Sequence, residues 1–158
     1  MLPHLDAAYN LARWVTGNEA DAGDVVQEAY MRALRFFDGF RGGDARAWLL
    51  RIVRNTGYTW LRKNRRGEQA VEFDETLHGF KTGPVSTSAD RAELEKAIAE
   101  LPAEFREALV LRELEGLAYK EIAHISDAPI GTVMSRISRA RQMLRVRLGR
   151  GAGKEQRR

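Results

Sequence analysis

The stretch from Gly116 to Arg136, Gly-Leu-Ala-Tyr-Lys-Glu-Ile-Ala-His-Ile-Ser-Asp-Ala-Pro-Ile-Gly-Thr-Val-Met-Ser-Arg, constrains the fold more than any other part of the chain. Ile122, Ala123 and Ile125 give a short helix its apolar side, Ser126 to Pro129 breaks it, and a second helix starts near Ile130. Helices that cross closely need a small residue at the crossing, and Ala123 supplies one. Four residues later the turn requires a left-handed backbone, which Asp127 tolerates better than most residues. Val133, ten residues after Ala123, plugs the interior. Together these features predict a helix-turn-helix.

The second of these helices sorts by face. Val133, Ile137, Ala140, Leu144 and Leu148 point inward, whereas Thr132, Ser135, Arg136, Arg139 and Gln142 line the outer side, flanked by Arg141 and Arg145. Hydroxyls near a helix start suit phosphates, and arginines further along can fork onto guanine edges or phosphates. A plain helical hairpin with a basic exposed side would explain the charge. It would not explain the turn chemistry, the small residue and the face segregation at once.

The rest of the chain is helical in pattern apart from one segment. Val25, Val26, Ala29, Tyr30, Ala33, Phe36 and Phe37 recur at three- and four-residue steps and predict one buried stripe over Asp24 to Phe37. Asp24, Gln27, Glu28, Met31, Arg32 and Arg35 take the opposite face. A shorter helix, Leu5 to Val15, precedes it. After the turn Gly39 to Gly43, Asp44 can cap a third helix of about Ala45 to Arg65. That helix buries Ala45, Trp48, Leu49, Ile52 and Val53 and shows Arg51, Arg54, Asn55, Tyr58, Arg62 and Arg65. Gly57 within it costs about 1 kcal/mol against alanine and permits a bend. Residues 67–88 lose the periodicity and read as a linker. Helices resume near Ala89, Pro102 fits the first position of another, and Phe105 to Leu117 is apolar almost all round, as a central helix would be.

Charge follows the same division. Residues 1–40 carry net −3, residues 41–66 net +7, residues 67–115 net −7 and residues 116–158 net +7. Two basic segments separated by an acidic one suit two contact points on a polyanion. Without cysteine, the chain has no disulfide, thiol nucleophile or cysteine–zinc site. His4, His78 and His124 have no metal-site spacing, and neither a phosphate loop nor a nucleophile elbow is present. Glu72, Asp74 and Glu75 fall in the linker, a poor place for preorganised catalysis. The expectation is therefore a cytoplasmic non-enzyme with no cofactor, no metal and no membrane insertion, since no run approaches the ~18 apolar residues of a span.

Several motifs carry a family resemblance. Leu101-Pro102, Leu111 to Ala123 and Pro129 to Arg141 closely resemble region 4 of the extracytoplasmic-function sigma factors of the sigma-70 family. Asn18 to Tyr30 resembles the start of region 2, and Ala47 to Asn55 with Arg62 to Arg66 resembles its remainder. The matches run in order over nearly the whole chain. The resemblance implies an all-α fold of two small helical domains joined by a flexible linker. Residues 1–66 would form region 2, 67–88 the linker, 89–148 the helix-turn-helix domain of region 4, and 149–158 a basic tail.

The same resemblance implies a promoter-specificity subunit of bacterial RNA polymerase. Core polymerase would be bound by Asp24, Gln27, Glu28 and Arg32. Minus-10 DNA would meet Arg51, Arg54, Asn55, Tyr58, Arg62, Lys63, Arg65 and Arg66. Minus-35 DNA would meet Thr132, Ser135, Arg136, Arg139 and Gln142, of which Arg136 and Arg139 lead. An anti-sigma factor is a further partner that the family implies. The chain departs from the family pattern at Thr59, often acidic there, at Ser126 and Asp127 in the turn, and at Met134, often basic. The competing reading is a free-standing regulator. It explains residues 89–148 but gives residues 1–66 no task.

Overall fold

Helix signals and glycine stops set the element order. The computed structural model describes residues 2–40, 42–64 and 88–156. Among these there is no strand, and the α-helices are α1 (Leu5–Thr16), α2 (Glu19–Arg35), α3 (Ala45–Asn64), α4 (Ser88–Ala99), α5 (Ala103–Leu109), α6 (Tyr119–Ser126) and α7 (Ile130–Gln156). Arg65, Arg66, nearly all of the expected linker, and Arg157 and Arg158 of the tail lie outside the described residues.

Local chemistry explains the boundaries. Gly17 ends α1 with a left-handed φ of 86°, its N–H donating to the Arg13 carbonyl. Asn18 opens α2, its side-chain oxygen accepting from the Asp21 N–H at 2.7 Å, and Glu19 and Asp21 suit the positive end of the helix. Asp44 caps α3 as expected, accepting from the Ala47 N–H at 3.1 Å. Pro102 stands one residue before α5 rather than at its first position. Val110–Leu114 continues α5 as a π-helical turn, with the Glu115 N–H reaching back to the Val110 carbonyl at 3.2 Å. Asp127 ends α6 at φ 54° and ψ 50°, the left-handed geometry its residue type and position predict.

One expectation fails at the end of α2. Phe36 and Phe37 were assigned to the buried stripe, yet they are 58% and 51% exposed. The helix has already stopped at Arg35, so its period no longer governs them. Phe37 and Phe40 instead flank Trp48, with ring centroids 6.3 and 5.1 Å from it. Trp48 is half-buried against the core rather than sealed in it.

The core does not divide between the two halves. One buried cluster runs from Leu11, Val25, Leu49, Leu50 and Val53 of the first three helices into Leu111, Leu117, Ile122, Ile125, Val133 and Ile137. A second gathers Ile98, Leu101, Leu109, Val110 and Ala140 with Trp14 of α1. Apolar burial of this kind is the main favourable term in folding.

Gly57 lies where α3 approaches α1. α3 runs on unbroken through it, and an added Cβ would stand 2.8 Å from Val15 Cγ1. Val15 is buried and β-branched, so it has little room to turn away. Gly57→Val should therefore lose about 1–3 kcal/mol, read as a lower urea midpoint with unchanged slope.

Candidate polymerase and nucleic-acid interfaces

Three surfaces hold the residues singled out by sequence. On α2, Asp24, Gln27 and Glu28 are exposed and Arg32 is half-buried, its Nε donating to Glu28 at 2.9 Å. Beside them Met31 and Leu34 are 55% and 67% exposed, and Phe36 and Phe37 continue the apolar area. The acidic face thus borders a hydrophobic one, a mixture suited to a protein partner. Trp60 lines a hollow of about 260 Å³ between α2 and α3 with Glu28, Arg32, Thr56, Thr59, Lys63 and Asn64.

The second surface is the basic side of α3. Asn55, Arg62 and Lys63 are exposed. Arg51, Arg54 and Tyr58 instead face the C-terminal half. Arg51 lies 3.9 Å from the Asp127 carboxylate and 3.5 Å from His124 Nδ1. Arg54 pairs with the buried Glu107 of α5 and stacks over the Tyr58 ring, 4.8 Å from its centroid. Arg46 reaches Glu121 at 4.0 Å, and Asn10 donates to Glu115 at 3.3 Å. An open groove of about 450 Å³ follows this seam, between Asn55, Tyr58 and Arg62 on one side and Glu104 and Arg106 on the other.

Burial shapes the ionisation along the seam. It pushes the Glu107 carboxyl above its usual range, against the pull of Arg54. It also pushes the Tyr58 hydroxyl up to about 12, with the Glu107 charge adding to the rise. Tyr58 is therefore neutral at physiological pH.

The third surface is the outer side of α7. Ser135, Arg139 and Gln142 are exposed together, and Thr132 is half-buried. Arg136 is set apart from them. It is turned toward α5, where it lies 3.5 Å from Glu104. No acidic residue occurs in α7 from Ile130 to Gly149, although Glu113 lies against Arg141 at the edge of this face.

The sequence reading missed Glu104 and Glu107. A signal for Glu107 was present, since it is the one carboxylate in the run Phe105 to Leu111, which is apolar but for it and Arg106. Such a residue calls for a buried partner.

Two family descriptions match this layout: sigma-70 region 2 over residues 2–67, and sigma-70 region 4 over residues 91–144. The ECF RNA polymerase sigma-E factor of Haemophilus influenzae is 39% identical over 147 residues, spanning 85% of this chain and 77% of that protein. The chain belongs to the extracytoplasmic-function sigma factors. The corresponding SigE of Mycolicibacterium smegmatis is 37% identical, over 90% of this chain and 57% of that one. Among solved structures, the sigma factor RpoE of Bartonella quintana, in complex with the anti-sigma factor NepR, superposes with a TM-score of 0.80. It is 32% identical and covers 93% of this chain and 92% of its own. CnrH, solved with the cytosolic domain of CnrY, gives a TM-score of 0.68 at 26% identity, over 93% and 83%.

As a sigma factor the protein is a promoter-recognition subunit of RNA polymerase, with region 2 in α1–α3 and region 4 in α4–α7. No helix among the described residues is long and apolar enough to cross a membrane, and no cluster of His, Asp or Glu there could hold a metal ion.

Proposed function

We propose that this sigma factor is a non-catalytic, cytoplasmic subunit whose three surfaces divide the work of initiation. The α2 face with Asp24, Gln27, Glu28 and Arg32 holds core polymerase. The α3 face with Arg51, Arg54, Asn55, Tyr58, Arg62 and Lys63, continued by Arg65 and Arg66, holds the minus-10 strand. The α7 face with Thr132, Ser135, Arg136, Arg139 and Gln142 docks in the minus-35 major groove. Residues 1–66 and 89–148 act as the two modules, and residues 67–88 set their reach. The observation that carries this reading is the pairing of two basic helical faces, on α3 and α7, with an acidic and apolar face on α2 that DNA would repel.

Strand separation needs cations for the backbone and aromatic surface for unstacked bases, and Arg54 over Tyr58 supplies both. Here Arg54 is engaged with Glu107 of α5 and Arg51 with Asp127 at the end of α6, while Tyr58 lines the open groove. Minus-10 binding through the two arginines competes with these ion pairs. An anti-sigma factor is a further partner, consistent with RpoE and CnrH being solved with NepR and CnrY.

Gel filtration with sigma-free core polymerase tests the reading. The parent should co-elute with core, a Gln27→Ala, Glu28→Ala variant should lose most of that binding, and Arg139→Ala should keep it while weakening minus-35 binding. If the parent fails to bind core but binds duplex DNA tightly alone, the protein is a free-standing regulator.

A further inference from the structure

The groove-facing end of α7 begins with two apolar side chains that are left largely open to solvent. Ile130 and Met134, one helical turn apart, are 43% and 49% exposed. Around Met134 the neighbouring positions of the same face are Gly131, Ser135 and Ser138, all exposed and all small. Met134 therefore stands above its surroundings, with Arg139 and Gln142 beyond it. In a helix-turn-helix the first turns of the second helix meet the base edges. Along those edges the thymine C5 methyl is the apolar feature that a thioether side chain can recognise. Methionine, unbranched and polarisable, adapts well to such a contact. Charge favours one kind of partner: Arg139 and Arg145 are exposed on α7, which has no carboxylate before Gly149, and the Asp127 carboxylate ahead of the helix lies 3.9 Å from Arg51. A polyanion suits that frame.

We infer that Met134, backed by Ile130, is a specificity element that packs on the methyl group of a thymine in the minus-35 duplex. The inference rests on the assignment of α7 to that duplex. It adds a residue that the polar-face reading passed over, and a base preference that arginines alone would not give.

The test deletes the methyl group and nothing else. Minus-35 duplexes would first be selected from a randomised pool with the reconstituted holoenzyme. Each thymine in a selected site would then be replaced singly by deoxyuridine. One such replacement should weaken promoter binding about fourfold for the parent, the worth of roughly one buried methyl. The same replacement should leave Met134→Ala unaffected, and Met134→Leu should keep the sensitivity. Pools selected with Met134→Ala should lose the base preference at that position alone.

Equal responses of parent and Met134→Ala to every deoxyuridine would overturn the inference while leaving α7 as the duplex reader. If Met134→Ala instead lost core or anti-sigma binding, with methyl sensitivity intact, the apolar pair would belong to a protein contact. A holoenzyme that selected no minus-35 sequence at all would sink the α7 assignment itself, and the inference with it.

Discussion

Trp14→Ala is expected to destabilise the protein by about 3–5 kcal/mol, the usual cost of removing a buried indole from a packed site. Trp14 is 3% exposed and belongs to α1, yet its neighbours are Ile98, Leu101, Leu109, Val110 and Ala140 of the C-terminal half. The truncation therefore does more than leave a cavity. It removes the α1 side chain that joins the second cluster, one of two that hold the halves together. Urea unfolding followed by far-UV circular dichroism should show a single transition for both proteins, at a lower midpoint for the variant, since the larger cluster still joins the halves. A variant that unfolds in one step at the parental midpoint would show that the shared cluster contributes nothing.

The second large effect concerns Arg54→Ala. The Glu107 side chain is 1% exposed, and Arg54 is its charge partner. Removing one member of a buried pair leaves the other uncompensated, and the expected loss is roughly 3 kcal/mol, about 10 °C in melting temperature for a chain of this size. The loss should depend on pH. Burial already holds the Glu107 carboxyl above its usual 4.5. Between the ordinary and the raised value, the folded chain keeps a proton that the unfolded chain has released. Stability consequently falls as pH rises through that window and is level above it. Without Arg54 the carboxyl rises further, so the falling limb should extend to higher pH. Melting curves from pH 5 to pH 8 would show a steeper decline for Arg54→Ala than for the parent. Glu107→Gln in the same background should restore most of the loss at pH 7.5, because it keeps the volume and removes the charge. Parental melting of Arg54→Ala at that pH would exclude the buried pair.

Much of this was legible in the residues, and the limits have physical causes. The helix-turn-helix could be placed from Ala123, Asp127 and Val133 because its turn demands a particular backbone and a particular size of side chain. Asp44 could be placed because a cap is a local hydrogen bond. Phe36 and Phe37 were misassigned because an apolar period says nothing about where a helix stops. The π-helical turn at Val110–Leu114 leaves no compositional mark, since it adds one residue to a helix without changing its character. Periodicity shows that a face is buried but not against what. That is why Trp14 was read only as part of a short N-terminal helix, and why Arg54 and Arg136 were read as open to DNA. Arg54 and Glu107 are 53 positions apart, and no local rule connects them.

The seam between α3 and the C-terminal helices also bears on how this protein would respond to electrolyte. Proteins that hold DNA through arginine lose affinity steeply as salt rises, because each counterion displaced from the phosphates gains less entropy on release into a saltier solution. Here Arg51 and Arg136 face exposed carboxylates, Asp127 and Glu104, which the same ions screen. Added salt thus weakens the grip on phosphate and, at the same time, loosens the internal pairs that withhold these arginines from it. The two slopes have opposite sign. Promoter binding should accordingly fall less steeply with ionic strength than the number of contacting arginines implies, and the shortfall would measure how firmly the protein holds its own cations in reserve.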